Sequence, residues 1–133
     1  MEKTYDFKQI EKKMQDFWQR ENFYTFDKEA DGEIYSIDTP PPTVSGSLHI
    51  GHLFSYTQAE MIARFRRMQG YNVFYPFGFD DNGLPTERLV EREEGIRAAD
   101  LPRSTFTEKC LSTVEKYKNE FRAFWETLGF SAD

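Results

Sequence analysis

Residues 33 to 52 read EIYSIDTPPPTVSGSLHIGH, and this stretch decides the fold. Ile34, Tyr35 and Ile37 make a short β-branched and aromatic run, which predicts a strand over Ile34 to Asp38. Pro40, Pro41 and Pro42 end it, because proline has no N–H to offer a sheet ladder. The loop TVSGSL leads into His49, after which Phe54, Met61, Phe65 and Met68 recur on one helical face as far as Gly70. Directly beyond Gly70, YNVFYPFGF predicts a second strand over Val73 to Phe77. A crossover of helix length between two strands is the signature of a βαβ unit, so the strands should lie side by side and parallel.

Outward from that unit, the chain reads as helices. Phe7, Ile10, Met14, Phe17 and Trp18 line one face of an opening helix, Asp6 and Gln9 suit its cap, and the stripe needs something to cover, most simply the domain that follows. After the second strand come a DDNG turn, a short helix LPTERLVEREEG with Pro85 near its start, and a loop around LPRS. Thr105 and Glu108 suggest a capping box for a last helix, whose stripe of Cys110, Leu111, Val114, Tyr117, Phe121, Phe124, Trp125 and Leu128 runs to Gly129. Two parallel strands are too few for a sheet covered on both faces, so the expectation is a part of a larger protein, cut shortly after Gly129.

Composition narrows the function. Thirteen Phe and seven Tyr carry too much apolar surface for a disordered chain. A net charge of -6 argues against nucleic-acid binding by a general basic field, and the one basic cluster, Arg64, Arg66 and Arg67, is expected to be a solvated helix face. The single cysteine, Cys110, allows no internal disulfide and sits on an apolar stripe with no histidine near in sequence, so it reads as a small core residue and not a nucleophile. No apolar run reaches signal-peptide or membrane-spanning length, so no membrane partner and a cytoplasmic location are expected.

Chemistry concentrates where loop becomes helix. Both histidines of the chain, His49 and His52, fall at a helix start, where unpaired N–H groups and a partial positive charge favour phosphate. Gly51 between them leaves out a side chain where a ligand would lie. Two other readings of the pair are plain surface residues, or a metal site; no Cys or carboxylate in the same loop supports the metal, so none is expected.

PPPTVSGSLHIGH, residues 40 to 52, resembles the nucleotide-binding signature of class I aminoacyl-tRNA synthetases, with His49-Ile50-Gly51-His52 in place of that family's HIGH tetrapeptide. Gly78 to Glu87, GFDDNGLPTE, resembles the GWDxxGLPxE stretch of the isoleucyl, leucyl and valyl members, with Phe79 where tryptophan is usual. The PPPTVSGSL loop is most similar to the valyl members. The resemblance implies an α/β fold, the N-terminal half of a Rossmann-like (HUP-type) parallel-sheet nucleotide-binding domain with flanking helices. Residues 1–133 would form the N-terminal portion of the catalytic domain, with 1–24 as a helix packed on it.

For function, the resemblance implies ATP-dependent activation of valine and its transfer to tRNA(Val). ATP, with Mg2+, would be held by Gly46, His49, Gly51 and His52, the two histidines stabilising charge on the phosphates. Pro41 and Pro42 would wall the amino acid's side chain, and Asp80 would receive its ammonium. The family's KMSKS loop, editing domain and anticodon-binding helices have no counterpart here, so 1–133 alone would lack half of the ATP site. Alternatives left open are an isoleucyl or leucyl enzyme, and a nucleotide-binding paralogue or excised domain without turnover. For Asp80 the other reading is an ordinary surface turn.

Overall fold

The structure, a computed structural model, describes residues 5–81 and 83–133. Residues 1–4 of the opening segment and Asn82 of the DDNG turn lie outside the described residues. In chain order the elements are α1 (Phe7–Arg20), β1 (Ile34–Ser36), α2 (Ile50–Met68), β2 (Asn72–Phe74), α3 (Leu84–Glu94), a 3-10 turn (Ala98–Asp100) and α4 (Arg103–Leu128).

The strands pair as expected. β1 and β2 are parallel neighbours in the register Ile34 to Asn72, Tyr35 to Val73 and Ser36 to Phe74, and Ile37 N donates to the Phe74 carbonyl at 2.9 Å. Both strands are shorter than their sequence runs, because the polypeptide leaves the ladder ahead of the prolines. The sheet nevertheless has further reach. Asp133 N donates to Tyr75 O and Phe77 N to Asp133 O, each at 2.8 Å, which is the bonding pattern of a parallel pair on the free edge beyond β2. Ser131, Ala132 and Asp133 carry no strand signal in sequence, so this pairing is legible only in the folded chain.

The helical period of α2 is right but the buried face is not the one expected. Phe54, Met61, Phe65 and Met68 are exposed in the described chain, at 69%, 68%, 51% and 79%. The face turned inward carries Tyr56, Glu60 and Ala63 instead. Ala63, Val73 of β2 and Tyr75 just beyond it form one core cluster, with Tyr35, Ile37 and Ala59 at its edge. A small residue lets the helix axis come close to the sheet, and polar side chains on either side of it make specific bonds there.

Those bonds correct the reading of the basic cluster as a solvated face. Glu60, 7% exposed, accepts from the backbone N–H and the hydroxyl of fully buried Ser131 at 2.9 and 3.0 Å, and from Arg64 Nε at 2.5 Å. Arg67 donates to the Ser131 hydroxyl and, at 2.8 Å, to its carbonyl. Arg64 donates to the Tyr24 hydroxyl at 2.9 Å and to the Gly129 carbonyl. Its guanidinium also lies 5.1 Å from both the Trp18 and Tyr24 rings, within cation–π range. Arg66 stacks on Tyr35 and Tyr71. One face of α2 thus fastens the segment after α1 and the segment after α4 to the sheet.

The flanking helices follow from local signals with two exceptions. Asp6 caps α1 by accepting from Gln9 N at 3.2 Å, as expected. Only the second half of the α1 stripe is covered, however; Phe7 is 52% exposed, whereas Met14, Phe17 and Trp18 are half-buried. Gln15 Nε2 reaches the Glu126 carbonyl at 2.8 Å, tying α1 to the end of α4. The expected capping box of Thr105 and Glu108 does not form. α4 begins at Arg103, immediately after Pro102, whose ring suits a helix start and whose missing N–H is no loss there. Gly129 ends α4 with φ +65, and a Cβ there would stand 3.3 Å from Trp18, so both its backbone and its lack of side chain are used.

The α4 face buries Phe106, Thr113, Val114, Tyr117, Phe121 and Trp125, while Leu111 is 64% exposed and off the packed stripe. Val114, Tyr117 and Phe121 meet Leu89 of α3 and fully buried Val44 in the second core. Cys110 is half-buried, and burial with the nearby Glu87, Glu94 and Glu91 carboxylates raises its thiol pKa, in keeping with an unreactive packing residue.

Glu60→Ala should leave the Arg64 guanidinium and the two Ser131 donors without their shared acceptor. Loss of a buried ionic partner costs about 3–5 kcal/mol, and the cost here is expected near about 2 because Arg64 is partly solvated. Urea denaturation of the chain measures it; a loss below about 0.5 kcal/mol would contradict the role given to this carboxylate.

Candidate active site

Past the ends of β1 and β2 the two chains stay together and carry their loops to one place. Thr43 and Asp80 form an isolated parallel bridge, with Asp80 N donating to Pro42 O at 3.0 Å and Val44 N to Asp80 O at 2.8 Å. Thr43 lies seven residues beyond Ser36, but Asp80 only six beyond Phe74, so the proline side holds one extra residue. The extra length lets the proline loop stand away from the ladder. Val44 is then drawn into the core, where Thr86 of α3 donates to its carbonyl at 2.8 Å.

From there Gly46, at φ +148, turns the chain toward α2 in a conformation that a residue with a Cβ rarely adopts. His49 is the N-cap of α2. Its Nδ1 accepts from Gly51 N at 3.1 Å, while His52 Nδ1 accepts from His49 N at 3.2 Å, a reciprocal cap built from two imidazoles whose rings are 4.2 Å apart. The sequence placed both histidines at a helix start but did not show that they cap it. Each neutral ring that accepts at Nδ1 carries its proton on Nε2, so two Nε2–H donors remain for a ligand. His52 stays neutral more readily than a free histidine, because burial, and next the charge of His49, lowers its pKa from 6.5.

Gly51 has a reason that the sequence did not show. A Cβ there would stand 2.9 Å from His49 Cε1 and 3.0 Å from its Nδ1. The space left by the missing side chain is therefore occupied by the capping imidazole itself.

Pro41, Pro42, His49, Gly51 and His52 line one groove of ≈ 540 Å³, together with Tyr56. Pro42 is buried and Pro41 exposed. Asp80 and Gly46 are not among the groove's lining residues. Asp80 is exposed and connects to the groove through Thr43, whose hydroxyl donates to its Oδ2 at 3.1 Å. Sequence reasoning missed Thr43, Tyr56 and the clamp behind Asp80: Asp81 is ion-paired to Lys118 of α4, and Lys118 and Arg122 lie 5.6 and 5.4 Å from the Phe79 ring. Nothing local could have found the clamp, since α4 lies more than thirty residues further along. Among the described residues no three His, Cys, Asp or Glu side chains are grouped as metal ligands, and no helix is long and apolar enough to cross a membrane.

Residues 13–133 match the family of class I tRNA synthetases (I, L, M and V). The chain belongs to that family. It is 51% identical over 132 residues to the valine–tRNA ligase of Rickettsia felis and 52% identical to that of Rickettsia rickettsii (strain Sheila Smith), in each case over 98% of this chain. Those 132 residues are 15% and 16% of the two relatives, so the chain spans about a sixth of their length. The crystal structure of the ternary complex of Agrobacterium radiobacter K84 agnB2 LeuRS–tRNA–LeuAMS superposes with a TM-score of 0.70 at 27% identity, over 97% of this chain and 15% of that one. The α/β arrangement, with a small parallel sheet between helices, is thus that of a class I synthetase catalytic domain.

In this family member the histidine cap makes stability depend on pH. The unfolded chain takes up a proton at His52 near pH 6.5, while the folded chain resists it, so the cap's contribution is present above that pH and is lost as pH falls below it. Thermal melts from about pH 7.5 to about pH 5.5 should show a steeper loss for the natural chain than for His52→Ala. Equal slopes would contradict the neutral cap.

Proposed function

We propose that the full-length protein carrying this segment is a valine–tRNA ligase, in which residues 1–133 are the opening portion of the catalytic domain. It would join the carboxylate of valine to the α-phosphate of ATP with loss of pyrophosphate, then pass the valyl group to the 3′ end of tRNA(Val) in the cytoplasm. One observation carries the chemical part of this reading: two Nε2–H imidazoles and a helix N-terminus meet a rigid proline wall in a single groove. About 50% identity to valine–tRNA ligases across nearly the whole chain supports valine over isoleucine and leucine.

Adenylation moves negative charge onto phosphate oxygens and asks for donors already in place, more than for a protein nucleophile. In this reading His49 and His52 point Nε2–H groups at the phosphates, and the depressed pKa of His52 keeps it in the form whose Nδ1 holds the cap. Gly46, with open space where a Cβ would stand, lets the nucleotide approach the backbone, while Gly51 makes room for the His49 ring that caps the helix. Mg2+ arrives with ATP as part of the substrate. Pro41 and Pro42 face the aliphatic side chain, whose bulk they limit without any polar atom that would need a partner. Asp80 takes the ammonium, and the Thr43 hydroxyl on Oδ2 fixes the orientation of its carboxylate.

Pyrophosphate exchange by the full-length protein should depend on valine and be far weaker with isoleucine and leucine. Residues 1–133 alone should show no sustained exchange, since loss of transition-state donors on the missing side costs on the order of 100-fold or more each. Exchange driven best by another amino acid, or absent from the full-length protein, would overturn the assignment.

Asp80→Asn keeps the shape and the Thr43 bond but removes the charge. It should cut kcat/KM for valine by on the order of 100-fold while changing the KM for ATP by less than about threefold. Valine kinetics near those of the natural enzyme would show that Asp80 is a turn residue.

A further inference from the structure

A proline triplet is an awkward wall to hold in place. Pro40, Pro41 and Pro42 have carbonyls but no N–H groups, so they can be fixed only as acceptors, and the fold must bring donors to them. Two such donors are present. At the far end Asp80 N donates to Pro42 O at 3.0 Å, and at the near end the Tyr56 hydroxyl donates to Pro40 O at 2.6 Å. The second bond is short, and the tyrosine that makes it is 6% exposed.

Tyr56 is on α2, four residues past His52 and so one turn further along the same helix face. Its ring is held edge-on against Trp125 of α4 at 4.7 Å, and Trp125 in turn packs on Phe77 at 4.6 Å. The hydroxyl is therefore set by three elements at once: α2, α4 and the chain leaving β2. Burial raises the tyrosine's pKa, and it remains a neutral donor at physiological pH.

We propose that Tyr56 is a specificity-determining positioning residue, which fixes the depth of the amino-acid pocket by holding Pro40 O and so setting the distance of the proline wall from the histidine helix. This rests on the reading of Pro41 and Pro42 as the wall of an aliphatic pocket. A pocket that rejects one extra methylene gains only about 10- to 200-fold from doing so, and that gain depends on a wall that does not yield. With one anchor removed, the triplet is held only at Pro42 and can recede by the fraction of a methylene that the larger side chain needs.

The test compares full-length natural enzyme with Tyr56→Phe in ATP–pyrophosphate exchange, which reports the adenylate step before any transfer to tRNA. Exchange by the natural enzyme with valine, isoleucine and leucine first identifies the preferred and next-best amino acid; absence of exchange with all three would overturn both the functional reading and this inference. The ratio of kcat/KM between those two amino acids should then fall about five- to tenfold in Tyr56→Phe, through gain by the larger substrate, with the KM for ATP within about twofold. Phenylalanine keeps the ring on Trp125, so folding is preserved. Tyr117→Phe is the control: it loses the hydroxyl bond to Glu93 in the other core and should lower the melting temperature without changing the ratio. An unchanged ratio in Tyr56→Phe, or an equal change in Tyr117→Phe, would overturn the inference.

Discussion

Two neighbouring parallel strands cannot be joined by a tight turn; the chain must leave one at its carboxyl end and return to the start of the other. The pairing of Ile34–Ser36 with Asn72–Phe74 imposes that course here, and α2 is the return. The N-terminus of α2 therefore has to lie beside the carboxyl ends of both strands, where the PPPTV and GFDD loops also emerge. Helix dipole, imidazoles, proline loop and Asp80 are gathered by one topological requirement, at the place where open α/β sheets hold ligands.

Position alone would leave α2 free to slide. Its inward face resists this with two devices placed along its length. Near the site, Tyr56 holds Pro40; further on, Glu60, Arg64 and Arg67 hold Ser131, Gly129 and Tyr24. Burying a carboxylate and a guanidinium is costly unless every lone pair and proton has a partner, and here Ser131 serves both charges through its N–H, hydroxyl and carbonyl. An apolar face would have packed with less penalty but would have specified the helix position less sharply.

What could be read from the sequence was local, and what could not was long-range. The strands, the two histidines at a helix start, Pro85 at the head of α3 and the glycine stops all act within a few residues, and each was legible. The buried face of α2 was misread because Phe54, Met61, Phe65 and Met68 carry the stronger apolar signal, whereas the packed face uses a tyrosine, a glutamate and an alanine. Arg64 and Arg67 looked like solvent-facing charges because their partners are about forty and sixty-five residues away. The Thr105 and Glu108 pattern matched a capping box, but the helix already begins at Arg103, after Pro102. In the site itself, His49, His52 and the prolines were legible as residue types in a spacing; the mutual capping of the imidazoles and the anchors at Thr43 and Tyr56 required the folded chain.

The central claim is that the loops at the head of α2 form an amino-acid and nucleotide half site. A crystal structure of the full-length protein with a non-hydrolysable valyl-adenylate analogue tests it most directly. The expected result places the analogue's ammonium within hydrogen-bond distance of the Asp80 carboxylate, its side chain against Pro41 and Pro42, and its phosphate-mimicking group beside Nε2 of His49 and His52. An analogue bound away from α2, or one whose ammonium contacts a different acidic group while Asp80 faces solvent, would contradict it.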